Sequence, residues 1–190
     1  EKRGRMPREV PEIRLRTSPH LHVDRSVSTI MLHVVYALLP LCAHAVWNFG
    51  ISALLLIAAS TTACLLTEHG CCRMANRPSS LGDFSAVITG ILLALTLPPG
   101  FPLWMTVVGS FVAVALGKML FGGLGFNVFN PALVGRAFLQ AAFPVAITSY
   151  TPAQAASRFT DFIPSTLALP FMQPRIDGLS GATPLMLQKF

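Results

Sequence analysis

Few side chains in this sequence can do chemistry, and most of those sit at bends. In Asp177-Gly178-Leu179-Ser180-Gly181-Ala182-Thr183-Pro184 a threonine hydroxyl stands just before a proline. Thr183 can serve as the N-cap of a helix that Pro184 opens. A phosphate esterified to that hydroxyl would also sit at a helix N-terminus, where free amides and the helix dipole favour its charge. Gly181 and Ala182 leave room for a bulky group on Thr183. A second bend, Gly122-Gly123-Leu124-Gly125-Phe126-Asn127-Val128-Phe129-Asn130-Pro131, combines three glycines with two asparagines. Within a membrane such irregular backbone survives only where protein or water covers it, and broken helices of this kind form ligand or ion sites. An ordinary turn is the other reading.

The remaining candidates are sparse. The eight acids are scattered and form no carboxylate pair, and no nucleophile–base–acid arrangement is legible. His33 and His44 are eleven residues apart, so on one helix they share a face at roughly 16 Å, too far to ligate jointly. Cys42 and Cys64 lie in apolar runs as small packing residues. Cys71 and Cys72 are adjacent and lack metal-ligand spacing; no metal site is expected. Arg136 stands alone in an apolar stretch, either as a functional intramembrane cation or with its charge snorkelling to the interface.

The elements that must position these residues are membrane helices. Of 190 residues, 53% are hydrophobic and 12% charged, against about 25% charged in soluble domains. No Asp, Glu, Lys or Arg occurs from Ser26 to Thr67 or from Phe84 to Gly117, and Arg136 alone interrupts Met119 to Ser157. A crossing needs about 20 apolar residues, so these runs hold several. The fold class is therefore an all-α integral membrane protein of about five transmembrane helices. Helix one is expected over about Val27–Trp47, with a kink at Pro40. Helix two is expected over Ile51–Leu66. Helix three starts near Asp83 as N-cap and ends at Pro98-Pro99, short for a full crossing. Helix four is expected over Leu103–Leu120. Helix five opens at Asn130-Pro131 and ends near Ala146. Small residues at four-residue spacing, Ala86-Gly90-Ala94 and Gly109-Ala113-Gly117, predict close helix packing.

Three regions follow: a basic arm over 1–25, a helix bundle over 26–147, and a proline-containing final segment over 148–190. The arm holds seven of the 14 Lys and Arg residues. Basic residues ahead of a first membrane helix mark the cytoplasmic side. No aromatic–basic interleaving points to nucleic acid, and the arm lacks the pattern of a signal peptide. With the arm cytoplasmic, Arg73 and Arg77 also fall inside, and five crossings place 148–190 outside the cytoplasm.

Four stretches carry a resemblance to a known family. They are Ser18-Pro19-His20; Asp83-Phe84-Ser85-Ala86 through Thr89-Gly90 to Leu97-Pro98-Pro99; Phe121 to Ala132 with Gly135-Arg136-Ala137-Phe138; and Asp177 to Thr183. Together they resemble the RnfD proteins of the Rnf electron-transport complex, a family similar to the NqrB proteins of the sodium-translocating NADH:quinone oxidoreductase. The resemblance implies that Thr183 carries covalent FMN through a phosphoester attached by a flavin transferase. Asp177, Ser180, Gly181 and Ala182 would be the surroundings the transferase recognises. It also implies a second, non-covalent flavin (riboflavin), placed on no residue here. Implied too are the other subunits of the Rnf complex as partners, electron transfer between ferredoxin and NAD coupled to ion transport, and a multi-pass place in the bacterial inner membrane with Thr183 on the extracytoplasmic side. Members of the family have two related halves, and this chain, which ends seven residues after Thr183 and does not begin with Met, is expected to be the N-terminal half. The broken helix and the small-residue stripes equally suit a transporter or channel half without redox activity; flavin content separates the two.

Overall fold

The computed structural model describes residues 26–77, 80–170 and 172. Six α-helices run in the order α1 (Val27–Phe49), α2 (Ile51–Met74), α3 (Ser85–Thr96), α4 (Leu103–Ala115), α5 (Pro131–Ala142) and α6 (Pro144–Thr148). Single 3-10 turns sit at Leu81–Asp83, Met119–Phe121 and Pro164–Leu167. Among the described residues there is no strand. Among the described residues three spans are long and apolar enough to cross a membrane: Val27–Phe49, Ile51–Met74 and Leu103–Phe121. The helices α3 and α5 have 12 residues each, about 18 Å, and neither crosses a 30 Å hydrocarbon core alone.

The helices pack in a way their sequences explain. Ser26 caps α1 by accepting a hydrogen bond from the Thr29 amide. The helix runs on through Pro40, and Leu38 is its one buried residue, so most of its apolar surface faces outward. Inside the bundle sit α2, α3 and α4. The two small-residue stripes do not pack on each other. Gly90 of α3 lies against α2, where a Cβ would come 2.5 Å from the Thr61 Cα. Gly109 of α4 lies under Leu139 of α5, and Gly117 is against Pro131. Ala86, Ala94 and Ala113 are buried between them.

Several boundaries differ from expectation. Helix two does not stop at Leu66 but continues to Met74, carrying Glu68, His69 and Arg73 inside a regular helix. Its buried face is a four-residue repeat, Ser52, Leu56, Ser60, Cys64, Glu68 and Cys72; the charge that looked like a helix end lies on this inward stripe. Helix three begins at Ser85, because Phe84 at φ +59° occupies the N-cap position. Asp83 still caps it: its Oδ1 accepts from the Ser85 amide at 2.9 Å and the Ser85 hydroxyl at 2.6 Å. Helix five starts as expected, with Asn130 capping the Ala132 amide and Pro131 at the first position. It ends at Ala142, since Phe143 leaves helical geometry before Pro144 opens the short α6.

The segment after α6 closes one end of the bundle. The Ile51 amide donates to the Arg158 carbonyl, and the Gln154 amide to the Asn48 carbonyl. Ser52 Oγ accepts from the Ile163 amide, and Ser165 Oγ donates to the Gly100 carbonyl at 2.7 Å. Gly50, at φ +71°, touches this segment so closely that a Cβ would meet the Arg158 carbonyl at 1.8 Å. The irregular stretch after α3 is buried at Leu97, Pro98, Gly100, Phe101 and Pro102.

Candidate functional site

The densest polar constellation lies at the other end, where the C-terminal part of α2 meets the start of α3 and the end of α4. Glu68 is fully buried and Lys118 is 2% exposed. Lys118 Nζ donates to Glu68 Oε1 at 2.6 Å and to the Ser85 hydroxyl, and lies 3.9 Å from Asp83 Oδ2. Ser80 also donates to Glu68 Oε1 and sits 3.4 Å from the Cys72 sulfur. Each charge suits its position. Asp83 stands at the positive N-terminal end of α3, and Lys118 just past the negative C-terminal end of α4. Two carboxylates against one ammonium leave the cluster with a formal negative excess. Among the described residues Glu68 Oε2 has no hydrogen-bond partner, so one acceptor remains for a proton, a water or a cation. Chemically the cluster locks three helix ends together while keeping charge inside an apolar bundle.

One turn or more deeper, Ser60 donates to the Gly90 carbonyl at 2.8 Å and lies 3.2 Å from Ser110 Oγ. This hydroxyl ties α2, α3 and α4 at one point. On the far side of the bundle, the Arg136 guanidinium donates to the Thr96 carbonyl at the C-terminal end of α3. Arg136 thereby caps the C-terminal end of α3.

The remaining sequence candidates separate. Thr183, Asp177, Ser180, Gly181 and Ala182 lie outside the described residues, as does the basic arm with Ser18-Pro19-His20. In the glycine-rich bend, Gly122, Gly123 and Gly125 have positive φ, and Phe126, Val128 and Phe129 are 62–73% exposed. The two asparagines serve nearby backbone: Asn127 donates to the Phe129 carbonyl and Asn130 caps α5. The bend is an exposed turn in this chain. His33 and His44 are both exposed, with His33 Nδ1 donating to the Thr29 carbonyl and His44 Nε2 accepting from Asn48. The four cysteines are free thiols, and among the described residues no three His, Cys, Asp or Glu side chains gather as metal ligands.

At the α1–α2 turn a cavity of about 330 Å³ opens between that turn and residues 151–164. Phe49, Phe162 and Pro164 give it apolar walls, and Asn48, Arg158 and Thr151 give it polar groups. The Thr151 hydroxyl is buried without a partner among the described residues.

The Glu68–Lys118 pair escaped the sequence reading because its members are 50 residues apart. The available signal was the four-residue repeat in α2, on which Glu68 continues the stripe of Ser52, Ser60 and Cys64.

The NQR2, RnfD, RnfE family is matched over residues 14–190. The chain is 39% identical, over 91% of its length, to the D component of the proton-translocating ferredoxin:NAD(+) oxidoreductase complex of Clostridium ljungdahlii, of which it covers 47%. It is 41% identical over 91% of its length to the D component of the ion-translocating oxidoreductase complex of Cellvibrio japonicus, covering 50%. To the protein of the same description in Actinobacillus succinogenes it is 36% identical over 90%, covering 52%. The chain thus spans about half the length of the curated relatives it matches.

Proposed function

This chain belongs to the NQR2, RnfD, RnfE family, and on that premise we propose that it is part of a flavin-bearing membrane subunit of an ion-translocating oxidoreductase. In this reading, electrons pass between ferredoxin and NAD through several subunits of an Rnf-type complex, and the flow is coupled to ion transport. FMN is held through a phosphoester on Thr183, within the Asp177, Ser180, Gly181 and Ala182 surroundings that a flavin transferase recognises. The protein sits in the bacterial inner membrane with its N-terminus cytoplasmic and Thr183 outside. A non-covalent flavin such as riboflavin is a second proposed cofactor.

The observation that carries the reading is the Asp-Gly-Leu-Ser-Gly-Ala-Thr run in a chain 36–41% identical to named components of such complexes. The cavity at the α1–α2 turn supports it. That cavity lies between the α1–α2 turn and residues 151–164, and its volume falls within the range of small-molecule sites. Phe49 and Phe162 offer flat apolar walls, while Asn48, Arg158 and the unpartnered Thr151 hydroxyl offer polar contacts. A bound flavin would supply one- and two-electron transfer, and these residues would orient it and limit its exposure to water.

The test is covalent fluorescence. The full-length protein, produced with its flavin transferase, is expected to fluoresce under ultraviolet light after denaturing electrophoresis, and Thr183→Ala to remove the band. A colourless wild-type protein from such a host would favour a transporter without redox work.

A further inference from the structure

The side of α1 turned away from the bundle carries polar groups that lipid tails cannot satisfy. Leu38 is the one buried residue of α1, and the helix packs on α2 and α3. His33, Tyr36, Pro40 and His44 point about 120–160° away from Leu38 at 3.6 residues per turn, and all four are exposed. Depth follows from α1 itself. It has 23 residues, and a crossing takes about 20. Wherever that crossing is placed along α1, Tyr36 lies about 9 Å or more inside both boundaries.

The hydrogen-bonding capacity at this depth is only partly used. Tyr36 is 56% exposed. Among the described residues its hydroxyl has no hydrogen-bond partner, and its ring meets the edge of His33, with centroids 6.4 Å apart. Pro40 has no N–H, so the Tyr36 carbonyl lacks the donor that residue 40 supplies in an unbroken helix. His33 Nδ1 donates to the Thr29 carbonyl, which leaves Nε2 as an acceptor facing outward. His44 Nε2 accepts from Asn48, which leaves the Nδ1 proton. Polar groups inside membranes face protein or water, and between helices they bond across the interface.

The occupant follows from the layout of the bundle. On the other flank α5 packs on α4 and α3. There α3 and α5, of 12 residues each, are too short to cross alone, so that flank is the one the rest of the relatives' length completes. By contrast α1 crosses by itself, and its polar side is turned away from the bundle. The relatives are components of multi-subunit complexes by name. No Asp, Glu, Lys or Arg occurs from Ser26 to Thr67, so the complement to this stripe is a neutral hydrogen-bonding side chain.

We propose that the His33–Tyr36–Pro40–His44 side of α1 docks a membrane helix of another subunit, and that a Ser, Thr, Asn or Gln of that helix bonds the Tyr36 hydroxyl and carbonyl near mid-membrane. The inference rests on the complex-forming part of the reading above and not on the flavin.

The experiment uses the full-length protein with its complex in native membranes. A photo-reactive benzophenone amino acid replaces Ala37, an exposed position on the same side, and adducts are mapped by mass spectrometry. The expected product is a cross-link to a membrane helix of a different, co-purifying subunit, at a segment containing Ser, Thr, Asn or Gln. The double substitution Tyr36→Phe with His33→Leu should then weaken retention of that subunit in detergent roughly tenfold, while the thermal midpoint of the isolated protein stays unchanged. Adducts with lipid only, with this chain itself or with a second copy of it would overturn the proposal, as would undiminished retention in the double variant. A wild-type protein that co-purifies with no other membrane subunit would reject the complex reading and the proposal together.

Discussion

Lys118 and Arg136 are both cations within one helix bundle, and their surroundings could hardly differ more. Lys118 is 2% exposed, with Glu68, Asp83 and Ser85 around its ammonium. Arg136 is half-buried and, among the described residues, has a single carbonyl partner. The first is satisfied by residues of this chain alone and ties α2, α3 and α4 at one end. The second holds the C-terminal end of α3, on a helix whose exposed side is mostly apolar. A buried charge that finds its counter-charge at home marks architecture. One that bonds a helix-end carbonyl instead serves as a local cap.

The contrast can be broken most forcefully at Lys118. Lys118→Met leaves Glu68 buried without its cation and should destabilise the protein by about 3–5 kcal/mol. The double substitution Glu68→Leu with Lys118→Met should recover much of that loss, since apolar packing often replaces a buried pair without cost. Thermal denaturation in detergent reads both, and equal losses in the single and double variants would remove the pair from its structural role. Next in size is Gly90→Leu, which forces a side chain into the Thr61 backbone and should cost roughly 1–3 kcal/mol by overpacking. Ser60→Ala removes the hydroxyl that bridges Gly90 and Ser110 and should cost about 1 kcal/mol. At the small end stands Asn127→Ala in the exposed glycine-rich bend, expected to change stability by no more than about 0.5 kcal/mol. A larger loss there would show that the bend is a packed element of the assembled protein.

The fold class was legible because lipid imposes a simple rule: long runs without charge become membrane helices. The same rule misplaced the end of helix two. Glu68, His69 and Arg73 read as a loop, whereas Glu68 continues an inward stripe that only tertiary packing makes tolerable. Asp83 was recognisable as a helix-starting residue, since capping is local; its nearness to Lys118, 35 residues on, was not. The small-residue stripes announced close packing but not its partners, because a four-residue repeat fixes a helix face and says nothing of which helix lies against it. Asn130 was legible as the N-cap of α5, because Pro131 follows it, and it does accept from the Ala132 amide, whereas the Asn127 bond to the Phe129 carbonyl depends on a turn that spacing alone does not fix. Arg136 was singled out by its isolation in an apolar run, and the Thr96 carbonyl gives that isolation a location within the bundle.

The functional account stands or falls on Thr183. Its most direct test is the intact mass of the full-length protein made alongside its flavin transferase, with the modified peptide sequenced. The account predicts an increase equal to FMN less one water, located on Thr183. An intact mass matching the unmodified polypeptide under those conditions would contradict it.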